Sequence, residues 1–200
     1  MAIIMCYTPG PNNFLLVASG INHGFRRSQP HVFGVASGFF TLLFVSGLGL
    51  AVLIQQYVWL DIVIKLLGCI FLFYLSYRLT MAKTVELENG GNPANLIKFY
   101  EAFSFQFINP KGLVMALSVQ GNFFPAEASL THIFVLSSVF ALLVGLSSSE
   151  AYVMLGMFIN KKIKSQKYQK GINNMMGLLL ALTTLYLFIQ NLGDWFLSLF

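Results

Sequence analysis

The sequence Thr8-Pro9-Gly10-Pro11-Asn12-Asn13 lies inside an otherwise apolar N-terminal segment and decides how the chain folds. Proline removes a backbone donor and clashes with the preceding helical turn, and asparagine side chains compete for backbone groups. An uninterrupted helix is therefore not expected here, although the flanking residues 1–7 and 14–18 are apolar enough for a bilayer. A second interruption, Asn109-Pro110-Lys111, lies in a later apolar segment. Paired broken helices are the best sequence indication of a transporter binding site.

The composition around these breaks is that of a polytopic helical membrane protein. Hydrophobic residues make up 56% of the 200 residues. Charged residues make up only 10%, against roughly 25% in soluble domains. Three stretches without a formal charge, 28–60, 128–149 and 171–193, each exceed the about 20 residues that cross the hydrocarbon core. Apolar residues run consecutively, which is not the alternating pattern of a transmembrane barrel strand.

The predicted fold class is all-α, with six transmembrane helices arranged as two inverted three-helix repeats. The expected segments cover residues 1–21, 32–55, 62–81, 100–123, 130–159 and 172–192. Residues 1–81 form the first repeat, 82–98 a cytoplasmic linker, and 99–200 the second repeat. An odd number of spans in each half forces the halves into opposite orientations, and each half begins with a broken helix, as in inverted-repeat transporters.

The basic residues predict the orientation in the membrane. Ten of the twelve Lys and Arg residues lie in or beside the connections after segments one, three and five. Because cytoplasmic loops are enriched in Lys and Arg, these connections are expected in the cytoplasm and both termini on the periplasmic side. The net charge of +5 therefore indicates topology rather than nucleic-acid binding. The apolar start lacks a basic region, so no cleavable signal peptide is expected.

The two breaks supply the candidate substrate site. Unwound backbone groups are costly in lipid, so they must face protein or a water-filled cavity. There a helix N-terminus attracts a carboxylate, while free carbonyl and amide oxygens accept hydrogen bonds from an ammonium group. The candidate substrate-binding residues are Thr8, Pro9, Gly10, Pro11, Asn12, Asn13, Gln106, Asn109, Pro110 and Lys111. The alternative for each break is a proline kink whose asparagines satisfy only local backbone groups.

Glu150 is the candidate residue for proton coupling. It follows three serines deep in the fifth segment, where a carboxylate costs on the order of 3 kcal/mol or more. Such a group normally pairs, lines a cavity or stays protonated. Three roles stay open: a proton carrier, a partner for Lys111 or for a substrate amine, and a structural group that only fixes helix packing.

Several other classes of site are not expected. The Cys and His residues have no metal-ligand spacing, and motifs for nucleophilic catalysis, zinc hydrolysis and nucleotide binding are missing. We therefore expect no metal, no cofactor and no enzymatic activity. Gly34 and Gly38 are four residues apart, a spacing that seats a close helix neighbour and permits a homodimer. Besides a transporter, the residues leave open a passive small-solute channel and a non-transporting membrane assembly subunit.

Two stretches carry a family resemblance: residues 8–13 followed by His23-Gly24-Phe25-Arg26, and residues 103–111 in the fourth segment. With the chain length and the basic fifth connection, they resemble the LysE/RhtB family of bacterial amino-acid exporters over essentially the whole chain. The resemblance is strongest to members that export cysteine and O-acetylserine. It implies a proton-driven antiporter of the inner membrane that exports small amino acids or their derivatives by alternating access.

The resemblance also implies that both motifs matter for transport, and that the partners are an amino-acid substrate and membrane lipid. Only seven residues precede Thr8, fewer than the family usually has. Either the true start lies upstream, or the first half-helix is short.

Overall fold

The computed structural model describes residues 10–50, 56–81, 96–124, 128–162 and 166–197, and every regular element in these ranges is helical. In chain order the α-helices are α1 (Pro11–Val45), α2 (Val58–Thr80), α3 (Phe99–Ile108), α4 (Pro110–Phe123), α5 (Leu130–Phe140), α6 (Ser147–Lys162) and α7 (Gln166–Leu197). Two π-helical turns are Ser46–Leu50, which follows α1, and Ala141–Leu146, which joins α5 to α6. The expected start of the first segment, at 1–9, and most of the linker, at 82–95, lie outside the described residues.

Helix α1 is a hairpin of two arms rather than one straight rod. Gly24 has φ 71° and ψ −177°, a conformation that glycine adopts readily because it has no Cβ. The hydroxyl oxygen of Ser19 lies 2.8 Å from Nδ1 of His31, which is 12 residues further along the chain. Twelve residues of straight helix would span about 18 Å, so the chain must reverse at Gly24. The arms are residues 11–23 and 25–45.

The hairpin turn corrects the expected start of the second segment at residue 32. The polar residues 26–29 resemble a loop in the sequence, yet they belong to the first turns of the second arm. A single glycine with positive φ reverses the chain, so a connection of several loop residues is not needed.

The predicted break in the fourth segment is present. Asn109 is extended, with φ −82° and ψ 109°, and it separates α3 from α4. Pro110 is the first residue of α4, a position where the missing N–H breaks no helical hydrogen bond. The first break has the same form where it is described, because Gly10 is extended and Pro11 begins α1. Both halves of the chain therefore contain a helix that starts at a proline.

The surface and the helix lengths are those of a multi-pass membrane protein. In the described part of the chain, four stretches are long and apolar enough to cross a membrane: Pro11–Gly49, Ile62–Thr80, Leu130–Lys162 and Lys167–Gln190. Ile70, Leu143 and Tyr186 are 66–69% exposed. Contiguous exposed apolar surface of this kind fits lipid rather than water.

Glycines bring helices from the two sequence halves into close contact. A Cβ at Gly20 would overlap the backbone of Val153 in α6, and a Cβ at Gly156 would overlap the carbonyl of Val17. Gly34 and Gly38 seat the second arm of α1 against α3 in the same way, which confirms their predicted packing role. These contacts lie within one chain, and the helices of the two halves are therefore interleaved.

Polar contacts gather several helix ends at one end of the bundle. Asn22 and Asn173 exchange two amide hydrogen bonds, of 3.1 and 2.9 Å. The guanidinium Nη1 of Arg78 lies 2.6 Å from Oε1 of Glu101. These contacts join the hairpin turn to the start of α7, and the end of α2 to the start of α3. We call this the basic end, because the adjoining residues include Arg26, Arg27, Arg78, Lys161 and Lys170.

Candidate functional site

A polar pocket lies where the two helix breaks meet, and we call it the central pocket. It has a volume of about 40 Å³, which is room for a few water molecules, so a larger ligand would require the pocket to widen. The residues predicted from the sequence that line it are Asn12, Asn13, Gln106, Asn109 and Lys111. They come from α1, α3, the break at Asn109 and α4, so both halves of the chain contribute.

The remaining predicted residues lie beside the pocket or outside the described residues. Gly10 contacts the side chain of Lys111, because a Cβ at Gly10 would come within 2.9 Å of Cδ and 3.1 Å of Nζ. Pro11 and Pro110 begin α1 and α4 without lining the pocket. The other two, Thr8 and Pro9, lie outside the described residues.

Two helix N-termini and a cation make the central pocket suitable for an anion. Asn12 and Asn13 belong to the first turn of α1, and Lys111 and Gly112 to the first turn of α4. First-turn N–H groups and the helix dipole favour negative charge. Asn109 caps α4, since its Oδ1 accepts a hydrogen bond of 3.2 Å from the backbone N of Lys111. The pocket can therefore hold a carboxylate.

The same pocket contains an oxygen that needs a donor. Asn12 is 9% exposed, and within the described part of the chain its Oδ1 accepts no hydrogen bond. A buried acceptor without a donor costs about 1–3 kcal/mol, so a water molecule or a ligand N–H is expected there. The hydroxyls of Ser148 and Ser149 donate to the carbonyl of Gly145, at 3.2 and 2.7 Å. Each hydroxyl oxygen can still accept a hydrogen bond.

Sequence reasoning missed the rest of the lining: Val35, Phe39, Gly112, Met115, Gly145, Ser148 and Ser149. Gly145 lies in the π-helical turn, and such turns often occur at functional sites. Three consecutive serines before Glu150, in an otherwise apolar span, could have indicated a polar pocket lining. The apolar residues carry no such signal, because only the packing of the second arm against α4 and α6 brings them to the pocket.

Glu150 does not line the central pocket. It is half-buried near the start of α6, one residue after Ser149. Its Oε2 accepts a hydrogen bond of 3.4 Å from Nε2 of Gln29 in the second arm of α1. The carboxyl group therefore bridges the two sequence halves beside the pocket. The described residues contain no group of three His, Cys, Asp or Glu side chains that could hold a metal ion.

Most of the chain matches one known protein family. Residues 3–191 match the LysE type translocator family. The chain belongs to this family. The resemblance seen in the sequence is thereby confirmed, and the chain is a LysE type translocator.

Relatives of this LysE type translocator are named cysteine/O-acetylserine efflux proteins. Those of Escherichia coli (strain K12) and Shigella flexneri are each 26% identical to it over 189 residues, which is 93% of both chains. The protein of Escherichia coli O1:K1 is 25% identical over the same share. No solved structure matches the chain.

Proposed function

We propose that this LysE type translocator is a secondary active exporter of small neutral amino acids of the cysteine or O-acetylserine kind. The proposal rests on the meeting of both helix breaks at one pocket that offers a cation, two helix N-termini and a buried amide oxygen to which no described residue donates. An amino-acid zwitterion carries the complementary groups, a carboxylate and an ammonium, a few ångströms apart.

The carboxylate would bind between Nζ of Lys111 and the first-turn N–H groups of α1 and α4. The ammonium would donate to Oδ1 of Asn12, with the serine hydroxyls as further acceptors. Gln106 is also suited to this role, because its Nε2 already donates to the carbonyl of Ala102 at 3.0 Å and its Oε1 is an acceptor. The buried amide oxygens would thus replace the hydrogen bonds to water that the ammonium group loses on binding.

The substrate side chain would lie against Val35, Phe39 and Met115, which form the apolar part of the lining. Lys111 is the only charged side chain among the described lining residues. A second ammonium, as in lysine, would have no carboxylate partner there, so a neutral side chain is favoured. Relatives named for cysteine and O-acetylserine efflux support this choice, because both substrates have uncharged side chains.

The proposed topology has six crossings in the bacterial inner membrane, with residues 1–81 and 99–200 as inverted repeats. The hairpin at Gly24 divides Pro11–Gly49 into two crossings, and α3 with α4 forms one broken crossing. The matching starts at Pro11 and Pro110 support the correspondence between the repeats. The basic end would face the cytoplasm and both termini the periplasm, as the distribution of Lys and Arg favours.

Export would proceed by alternating access, in which the central pocket opens to the two sides in turn. Because helices of the two halves are interleaved, the moving parts are groups of helices from both halves. Glu150 would carry the coupling proton. It lies next to the serines of the pocket, and its bond to Gln29 joins α6 to the second arm of α1, so protonation would change a contact between two helices that line the pocket.

Inverted membrane vesicles test the proposal, since their cytoplasmic face is outside and an exporter fills them. Labelled O-acetylserine should accumulate uphill when respiration acidifies the interior, and an uncoupler should abolish the accumulation. Vesicles with the Lys111→Gln variant, at equal amounts of protein, are the matched control. Equilibration that needs no gradient would favour a passive channel instead. Uptake no higher than in vesicles without the protein would contradict export.

A further inference from the structure

A second pocket lies at the basic end of the bundle, and we call it the basic-end pocket. It has a volume of about 30 Å³, and its polar lining residues are Ser19, Asn22, His23 and Arg78. Asn22 is ten residues beyond Asn12 on the first arm, a distance of about 15 Å along a helix. The basic-end pocket is therefore separate from the central pocket.

We propose that the basic-end pocket binds the carboxylate of the amino acid before transport, with Arg78 as the cation. This inference rests on the proposed function and on the cytoplasmic position of the basic end. Among the described residues, Arg78 has two hydrogen-bonded contacts: Nη1 donates to Oε1 of Glu101 at 2.6 Å, and Nη2 donates to the carbonyl of Leu96 at 3.4 Å. A guanidinium has five N–H donors in a planar fork that matches a carboxylate, so donors remain for a second carboxylate.

Binding at Arg78 would be linked to opening of the basic end. The Arg78–Glu101 ion pair joins α2 to α3, which belong to different sequence halves. The substrate carboxylate would share the positive charge of the guanidinium with Glu101, so binding weakens a contact between the halves. Asn22 lines the same pocket and holds Asn173 of α7 through two hydrogen bonds. A ligand here therefore touches two of the contacts that close this end.

Two substitutions separate substrate binding from a purely structural ion pair. The rate of labelled O-acetylserine uptake into inverted vesicles, measured over a range of external concentrations, gives the KM at the basic-end face. Arg78→Gln should raise this KM about ten-fold or more, because a charge-assisted bidentate contact is lost. Glu101→Gln should leave the KM unchanged or lower it, because it removes the internal competitor for Arg78.

A matched control is Lys170→Gln, which removes an exposed positive charge at the same end and should leave the KM unchanged. Equal increases of KM in Arg78→Gln and Glu101→Gln would overturn the inference, since a structural ion pair needs both partners equally. If the Arg78→Gln variant fails to insert into the membrane, the Arg78→Lys variant provides the test. Lysine keeps the positive charge but lacks the planar pair of guanidinium donors, so it should raise the KM several-fold. An unchanged KM in that variant would also overturn the inference. Absence of uptake by the unmodified protein would contradict the proposed function itself.

Discussion

At the scale of single residues, two prolines explain why an apolar chain contains a polar pocket. Pro11 and Pro110 each follow an extended residue and begin a helix. A helix that begins inside a membrane leaves N–H groups without acceptors, and these groups require an anion, water or polar side chains. The prolines are visible in the sequence. That the two breaks share one site was expected from the inverted-repeat plan and not from a local signal, because the residues concerned are about a hundred positions apart.

Lys111 is the cation of the central pocket, and Lys111→Gln tests its role. The substitution keeps a polar side chain that is one atom shorter but removes its charge. A charge-assisted hydrogen bond contributes about 1.5–3 kcal/mol, so the KM for export should rise roughly ten- to a hundred-fold. Vesicle uptake over a concentration series measures it, with Lys98→Gln as a control at an exposed cation. An unaltered KM for Lys111→Gln would show that the substrate carboxylate does not bind at Lys111.

Glu150 can be examined by separating net transport from exchange. In Glu150→Gln the new amide oxygen can still accept from Gln29, so the contact between the halves is retained. The side chain can no longer release a proton. Uphill export driven by the proton gradient should therefore be lost, whereas exchange of labelled for unlabelled substrate, which needs no net proton movement, should continue. If uphill export keeps its pH dependence, Glu150 has a structural role only.

At the scale of helices, the sequence predicted spans and breaks better than turns. The break at Asn109 and the packing role of Gly34 and Gly38 were predictable, because proline and small residues act locally. A reversal between the first two spans was predicted, but its form was not, since polar residues 26–29 resemble a loop while Gly24 alone reverses the chain. Contacts such as Asn22 with Asn173 were also beyond prediction, because they depend on how distant helices pack.

The contact between the first arm of α1 and α6 is tight enough to be tested with one methyl group. Gly156→Ala would place a Cβ against the carbonyl of Val17. Overpacking typically costs about 1–3 kcal/mol, and each kcal/mol lowers the Tm by roughly 2–4 °C in a chain of this size. Thermal unfolding of the detergent-purified protein measures this decrease.

Gly121→Ala is the matched control for that substitution. A Cβ at Gly121 meets nothing within 4 Å, and alanine favours a helix over glycine, so the Tm should stay equal or rise. A Tm of Gly156→Ala at or above that of the unmodified protein would show that the two helices are not held as closely as the structure indicates.

At the scale of the whole molecule, two of the polar contacts that cross the halves lie at the basic end. Asn22 bonds Asn173, and Arg78 pairs with Glu101. Alternating access requires these contacts to separate during each cycle, because a substrate entering from the cytoplasm must pass this end. The paired asparagines are suited to a direct test, since their side chains already meet and both are buried.

A reversible cross-link between positions 22 and 173 should arrest export. In a background without the native cysteines, Asn22→Cys combined with Asn173→Cys would be joined by a short thiol-specific cross-linker, and a reductant would cleave it. Vesicle uptake should fall to background after cross-linking and recover after reduction. Asn160→Cys with Gln169→Cys is the matched control, because those side chains are also hydrogen-bonded near this end but belong to the same half. Continued uptake with 22 and 173 joined would mean that the basic end does not open there, and alternating access through it would be rejected.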